Sequence, residues 1–244
     1  MANRVSTYGS REMELGNPYR RETEALIAVD DLHALLAWAG ELHGHYCNYL
    51  AYGVMAASAG VKELGVAHTG TEELVAVVET NNCFADGVQY VSGCTLGNNS
   101  LIYRDYGKTA VTFCTRDGRA VRYALAPEFE DSRAEEFPEA SDLFDRLVAR
   151  REAGTAEERS RMLRLLCDMS LRELGAPVEH AFRVTRGTID VPSTVPVLDK
   201  VKCGRCGENV ARNRAVEADG IMYCIPCAGE AYVELNGAGM ELRG

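Results

Sequence analysis

Two cysteine pairs of identical spacing, Cys203-Gly-Arg-Cys206 and Cys224-Ile-Pro-Cys227, stand 17 residues apart near the end of the chain. Two intervening residues let both sulfurs of a pair converge on one ion while the amides between them turn toward the sulfurs. Four thiolates complete tetrahedral zinc and leave no position for water, so the pattern predicts a closed, structural zinc site of four cysteines. The constraint on folding is strong, because a segment of about 40 residues buries too little apolar surface to fold without a staple. Zinc supplies on the order of 10–16 kcal/mol in such sites and makes folding metal-dependent. Asp219-Gly220 marks a hairpin turn between the pairs. The run from Cys224 to Gly237 suits a helix, giving a treble-clef-like order of knuckle, hairpin and helix. Redox-active CxxC pairs are the competing reading.

Five further cysteines bring the total to nine, an odd number that cannot all pair within one chain. Residues 1–26 are polar and lack an apolar core of signal-peptide length. No apolar run approaches the roughly 18 residues that a membrane helix needs. The expectation is a cytoplasmic protein without a membrane partner, whose reduced cysteines serve as ligands, nucleophiles or core residues. A chain 46% hydrophobic and 25% charged is not wholly disordered. Its net charge of -10 argues against a general nucleic-acid or anionic-membrane coat. Lys200, Lys202, Arg205, Arg212 and Arg214 make the C-terminal zinc end locally basic, which either solvates a small domain or docks nucleic acid or an acidic protein.

The periodicity predicts an α+β protein in three parts: a mixed α/β core domain with a helical elaboration over 1–186, a linker over 187–201, and the zinc-binding domain over 202–244. Residues 1–22 read as an arm or capping segment. An aspartate-capped helix from Asp30 carries Leu32, Leu35, Leu36 and Leu42, and a buried helix rich in small residues follows and stops at Gly65. Its small residues permit close packing, against a second copy or within the chain. Glu73–Thr80 reads as a strand and Asp86–Ser92 as a short helix. Leu101–Arg104, Thr109–Thr115 and Arg119–Ala126 read as strands, with Asp117-Gly118 as a turn. The acidic stretch after Pro127 reads as an exposed connection, followed by helices over 139–153 and 156–174 and a strand over 182–185. The proline-bearing run from Gly187 to Lys200 has little to pack.

A second chemistry-bearing cluster lies nearer the N-terminus. His43-Gly44-His45-Tyr46-Cys47 offers three soft donors within five residues. On a continuous helix His43 and Cys47 share a face; if Gly44 breaks the helix, His45 and Cys47 converge instead. A thiol at the start of the next helix also feels its positive end, which favours thiolate. Cys83 follows a strand and precedes a helix, the place where ligand groups gather in α/β arrangements. Capping and filling of a helix junction is the plainer reading of the same residues. Cys114 and Cys167 sit in apolar contexts and read as core, whereas Cys94, flanked by glycine, either packs or lines a cleft.

The blocks HGHYCNYLAYGVMAASAGVKELG and VVETNNCFADGVQYVSGCTLGNNSLIYRDYGKTAVTF, with the C-terminal CxxC…CIPC pattern, resemble the FmdE family, named for the E subunit of formylmethanofuran dehydrogenase. The resemblance covers about residues 40–116 and the cysteine pairs. It implies a mixed α/β core, usually dimeric, with a metal-binding cleft. It carries His43, His45, Cys47 and Cys83 to a second transition-metal site, zinc by preference. Cys94 and the Asp105-Tyr106-Gly107-Lys108 turn match motifs near the same cleft, so Lys108, Asp105 and Cys94 are the candidate catalytic residues. One departure stands out: the family pattern continues Cys-Pro-Gly where Asn48-Tyr49 follows Cys47 here.

Three functions follow as expectations. The first is an accessory or cofactor- and metal-handling factor for a molybdenum or tungsten redox enzyme. The second is a small metalloenzyme with a His/Cys ion and a small-molecule ligand, and the third a zinc-ribbon regulatory or binding module. A homodimer is implied by the resemblance, and the acidic balance weighs against nucleic acid as partner.

Overall fold

Strand β1, Leu74–Val78, is buried along its whole length because both its faces are covered. Leu74, Ala76 and Val78 join the main core, while Val75 and Val77 join a smaller cluster, as the two-residue alternation of a strand requires. The computed structural model describes residues 20–66, 73–194 and 199–244. The chain divides into two compact units, Met1–Pro192 and Ser193–Gly244. In the first unit β1 pairs in parallel with β2, Leu101–Tyr103, and antiparallel with β3, Ala110–Thr115. Strands β4, Arg119–Leu125, and β5, Phe182–Thr188, complete a five-stranded sheet of order β2-β1-β3-β4-β5.

Helices α1, Arg21–Ala28, α2, Leu32–His43, and α3, Asn48–Leu64, precede the sheet. Helix α4, Cys83–Ser92, is the crossover that the parallel pair β1–β2 demands. Asp31 caps α2 by accepting from the Ala34 N–H at 3.0 Å. Leu35 and Leu36 are buried, while Leu42, on the last turn, is 59% exposed. The small residues of α3 are used within the chain. A Cβ on Gly53 would stand 2.2 Å from the Phe84 carbonyl oxygen, and one on Gly87 2.5 Å from that of Leu50, so α3 and α4 meet backbone to backbone. The expected N-terminal arm falls largely on residues 1–19, outside the described residues. Arg20 donates to the carbonyls of Tyr90 and Val91 at the end of α4.

Two expectations change beyond β4. The acidic stretch is helical rather than an open connection: α5 spans Pro127–Glu136 and α6 Pro138–Phe144, with one π-helical turn at Asp145–Ala149. Phe129 anchors α5 in the main core at 4% exposure, and each proline lies where a helix start needs no N–H donor. Helix α7, Ala156–Glu173, begins with a capping box between Thr155 and Glu158, and α8, Val178–Ala181, leads into β5. Leu143, Leu147, Met162, Leu166 and Met169 form a separate small core between these helices. The start of the expected linker is packed. Thr188 pairs with Arg119, the Ile189 N–H bonds the Gly118 carbonyl at 3.0 Å, and Ile189 and Val191 cover the second face of the sheet. Residues 195–198, also in the expected linker, lie outside the described residues.

The second unit is three hairpins around the cysteine pairs. Strands β6, Lys200–Lys202, and β7, Asn209–Ala211, flank the first pair. Strands β8, Ala215–Ala218, and β9, Ile221–Cys224, are joined by Asp219 and Gly220 at φ 52° and 75°, the left-handed pair that tight hairpins favour. The helix expected after Cys224 is a single turn, α9, Ile225–Ala228, ended by Gly229 at φ 75°. The chain then turns back as β10, Tyr232–Asn236, against β11, Gly239–Arg243. Alternation at Val233, Leu235, Met240 and Leu242 overrides the helical reading. The protein is thus α+β, with a small cysteine-rich strand region at the C-terminal end. Among the described residues no helix is long and apolar enough to cross a membrane.

Candidate metal centre

Gly44, at φ 92°, ends α2, and the chain re-enters helix at Cys47, whose extended backbone makes it the N-cap of α3. The Cys47 Sγ accepts the Leu50 N–H at 3.4 Å. Asn48 fills the first helical position, where the N–H has no partner inside the helix, so the absence of proline there leaves the helix start intact. Cys83 opens α4 directly after β1, with the Asn82 side chain accepting from the Phe84 N–H at 3.0 Å. The close approach of α3 and α4 brings these helix starts together. One donor atom from each of His43, His45, Cys47 and Cys83 lies within 4.8 Å of all the others. The break at Gly44 therefore gathers both histidines, with ring centroids 4.4 Å apart.

The protonation pattern suits a cation. His43 Nδ1 donates to Asp86 Oδ2 at 2.7 Å, and since an ionised carboxylate only accepts, Nε2 keeps its lone pair. That Nε2 is buried with no hydrogen-bond partner, an arrangement that costs free energy unless something coordinates it. The Cys47 thiol, and after it the His43 ring, pull Cys83 down to about 6 against the effect of burial. The same Cys47–Cys83 hydrogen bond, with burial, drives Cys47 far above the ordinary thiol range. The pair thus shares one proton, which a bound ion displaces. Burial first, and then the neighbouring His43, lower the pKa of His45 and favour its neutral, ligating form. Two imidazoles and two sulfurs form a donor set for a borderline or soft ion such as zinc.

The cluster borders a cleft of about 290 Å³. His45, Cys47, Asn48, Tyr49 and Cys83 form one side. Helices α6 and α7 supply Ala140, Ser141, Phe144, Leu166 and Met169 on the other. Tyr49 donates its hydroxyl to Glu130 on α5. The candidate catalytic residues stand apart from this lining. Asp105 accepts from the Tyr103 hydroxyl at 2.6 Å on an exposed turn, and Lys108 is exposed on the same turn with its N–H on the Glu79 carbonyl. Cys94 is fully buried, its thiol donating to the Leu74 carbonyl at 3.4 Å, and burial pushes it up to about 11. Cys114 is likewise buried, in the cluster on the second face of the sheet, while Cys167 is only half-buried on α7.

In the second unit the sulfurs of Cys203, Cys206, Cys224 and Cys227 also lie within 4.8 Å of one another. Backbone N–H groups of Cys206 and Cys224 pull Cys203 down to about 6. Cys203 is the only buried hydrophobic residue among the described residues of this unit, so its folded state leans on the sulfur cluster rather than on an apolar core.

Comparison with known proteins places this architecture. Residues 42–183, more than half of the chain, match the family described as "FmdE, Molybdenum formylmethanofuran dehydrogenase operon", and the chain belongs to that family. It is 35% identical over 233 residues to a probable S-adenosyl-L-methionine-binding protein of Archaeoglobus fulgidus. That match covers 93% of this chain but spans only 62% of the relative's length. The fold is also similar to the crystal structure of an FmdE-like protein of tungsten formylmethanofuran dehydrogenase from Syntrophus aciditrophicus, with a TM-score of 0.51 at 19% identity. The similarity covers 81% of this chain and 92% of that one.

The sequence reading missed two parts of the site. Asp86 lies three residues after Cys83, a spacing that puts both on one face of α4, and that signal was available. The wall from α6 and α7 carried no such signal, because its residues come from a helical elaboration that meets the cluster only in three dimensions.

Proposed function

We propose that this protein is a metal-binding factor that serves a molybdenum or tungsten redox enzyme by handling its metal or cofactor. Zinc would occupy the C-terminal four-cysteine site, and a second transition ion, zinc by preference, would be held by His43, His45, Cys47 and Cys83. The observation that carries the reading is the buried, unpartnered Nε2 of His43, oriented by Asp86 toward two cysteines. Family membership supports the molybdenum or tungsten context, as does the tungsten enzyme in the name of the similar Syntrophus protein. The S-adenosyl-L-methionine in the name of the Archaeoglobus relative stays with that protein, because this chain spans only 62% of its length.

An ion with this donor set supplies Lewis acidity at the cleft floor. The chain's own part is to hold His43 in one tautomer, to keep Cys83 ionised, and to shield the cluster with α6 and α7. Elemental analysis of the purified protein should find two ions per chain, and Cys47→Ser with Cys83→Ser should leave one. An unchanged metal count in that double variant sinks the N-terminal site. The cleft favours a second reading, a small metalloenzyme with an open position on the ion. A homodimer would use a surface other than the small-residue face of α3, which α4 already covers.

A further inference from the structure

We propose that the cleft above the His/Cys cluster binds a small, uncharged, largely apolar molecule that directs a soft sulfur donor, a thiol or thioether, toward Cys47 and Cys83. The inference rests on the metal reading of that cluster and adds the class of its occupant.

The far wall is the first support. Phe144, Leu166 and Met169 face the cluster across the cleft, and Phe144 keeps 44% of its surface exposed. It sits where α6 passes into its π-helical turn, so its ring borders the cleft rather than filling the small core between α6 and α7. An apolar body laid on this wall buries surface that the chain itself leaves in water.

Charge narrows the occupant further. Among the described residues lining the cleft there is no Lys, Arg, Asp or Glu. Two cysteinates balance the charge of a divalent ion and neutral imidazoles add none, so the centre offers no net positive charge. A phosphate or polycarboxylate would lose its hydration there without a cation to replace it. Asn48, Ser141 and Tyr49 leave neutral polar groups at the edge. A volume of about 290 Å³ is at the small end of ligand pockets. These features exclude a phosphorylated cofactor as occupant and restrict metal or cofactor handling at this site to the ion and a small sulfur ligand.

The donor follows from the ion. A site built from thiolate and imidazole selects borderline or soft metals, for which sulfur is a preferred further donor. Binding makes and breaks no bond to carbon; a thiol that binds as thiolate gives its proton to solvent.

The full chain, loaded with cobalt(II), is titrated with benzyl thiol, benzyl methyl sulfide, 2-mercaptoethanol, mercaptosuccinate and inorganic phosphate. Binding is read by calorimetry and by the sulfur-to-cobalt absorption band. The spectrum of the Cys47→Ser, Cys83→Ser variant, which keeps only the C-terminal cobalt, is subtracted. The expected result is one benzyl ligand per chain, held roughly tenfold more tightly than 2-mercaptoethanol because its ring rests on the apolar wall. Phe144→Ala should cut that advantage to about threefold or less. Which benzyl compound binds more tightly identifies thiol or thioether as the natural donor. Absence of saturable binding by either benzyl compound, stronger binding by mercaptosuccinate or phosphate, or an unchanged preference in Phe144→Ala overturns this inference while the metal reading stands. Loading of only one cobalt per chain in the wild type overturns the metal reading and this inference with it.

Discussion

Replacement of Gly53 by alanine tests whether helix packing sets the metal centre. The added Cβ would lie 2.2 Å from the Phe84 carbonyl oxygen and 3.0 Å from the Gly87 Cα, where ordinary contact begins at 3.4 Å. Both neighbours are backbone, so no side chain can swing aside, and α3 and α4 must separate by about 1.2 Å, the difference between 3.4 and 2.2 Å. Alanine gains about 1 kcal/mol of helix propensity over glycine, whereas overpacking of this kind costs about 1–3 kcal/mol. A net loss of about 1 kcal/mol is expected as a lower-shifted urea midpoint. The larger effect falls on the metal. Cys47 caps α3 and Cys83 opens α4, next to the displaced Phe84, while ligand distances tolerate only about 0.2 Å. Affinity for the N-terminal ion should fall at least about tenfold, read by competition against a chromophoric chelator, with the C-terminal four-cysteine site unaffected. A Gly53→Ala protein as stable as wild type, with undiminished affinity at the first site, would refute the claim that this contact sets the ligand geometry.

Three further outcomes are expected. Asp86→Asn removes the carboxylate that fixes the His43 tautomer and should weaken the same ion about 10–100-fold with little change in unfolding midpoint; equal affinity would detach Asp86 from the site. Arg122→Ala leaves the Glu79 carboxylate, 8% exposed and otherwise gripped at 2.7 and 2.8 Å, without its cation. It should cost about 3 kcal/mol, and Glu79→Gln in that background should restore part of the loss in chemical denaturation. Glu63 accepts two bonds from Arg186, at 2.6 and 3.0 Å, and one from the Tyr123 hydroxyl, and chiefly the Arg186 bonds hold its pKa below the usual carboxylate value. A depressed carboxylate stabilises the fold above its unfolded pKa and loses that contribution as pH falls through the folded one. Glu63→Gln should therefore destabilise by about 0.5–1 kcal/mol near neutral pH. The difference should vanish in acid, and a gap that widens on acidification would contradict the assignment.

Much of the centre was readable before any coordinates. Glycine at position 44 announced the break that turns two histidines toward one cysteine, and Cys47 and Cys83 both stood at helix starts. Local chemistry of this kind is visible in a sequence because it depends on neighbours in the chain. The acidic run after Pro127 misled, since Phe129 alone anchors a helix whose composition otherwise reads as solvated. The segment after Cys224 misled in the opposite sense, because only strand pairing separates β10 and β11 from a helical run.

The sequence by itself determined the two donor sets, the small-residue helix and the α+β class, because spacing, caps and periodicity are properties of contiguous residues. The tertiary structure alone decided that α3 and α4 lie in backbone contact and that Asp86 stands behind His43. It also decided that α6 and α7 wall the cleft over the cluster. Those relations join residues far apart in the chain, and packing, which fills space irrespective of sequence separation, is the physical agent that sets them.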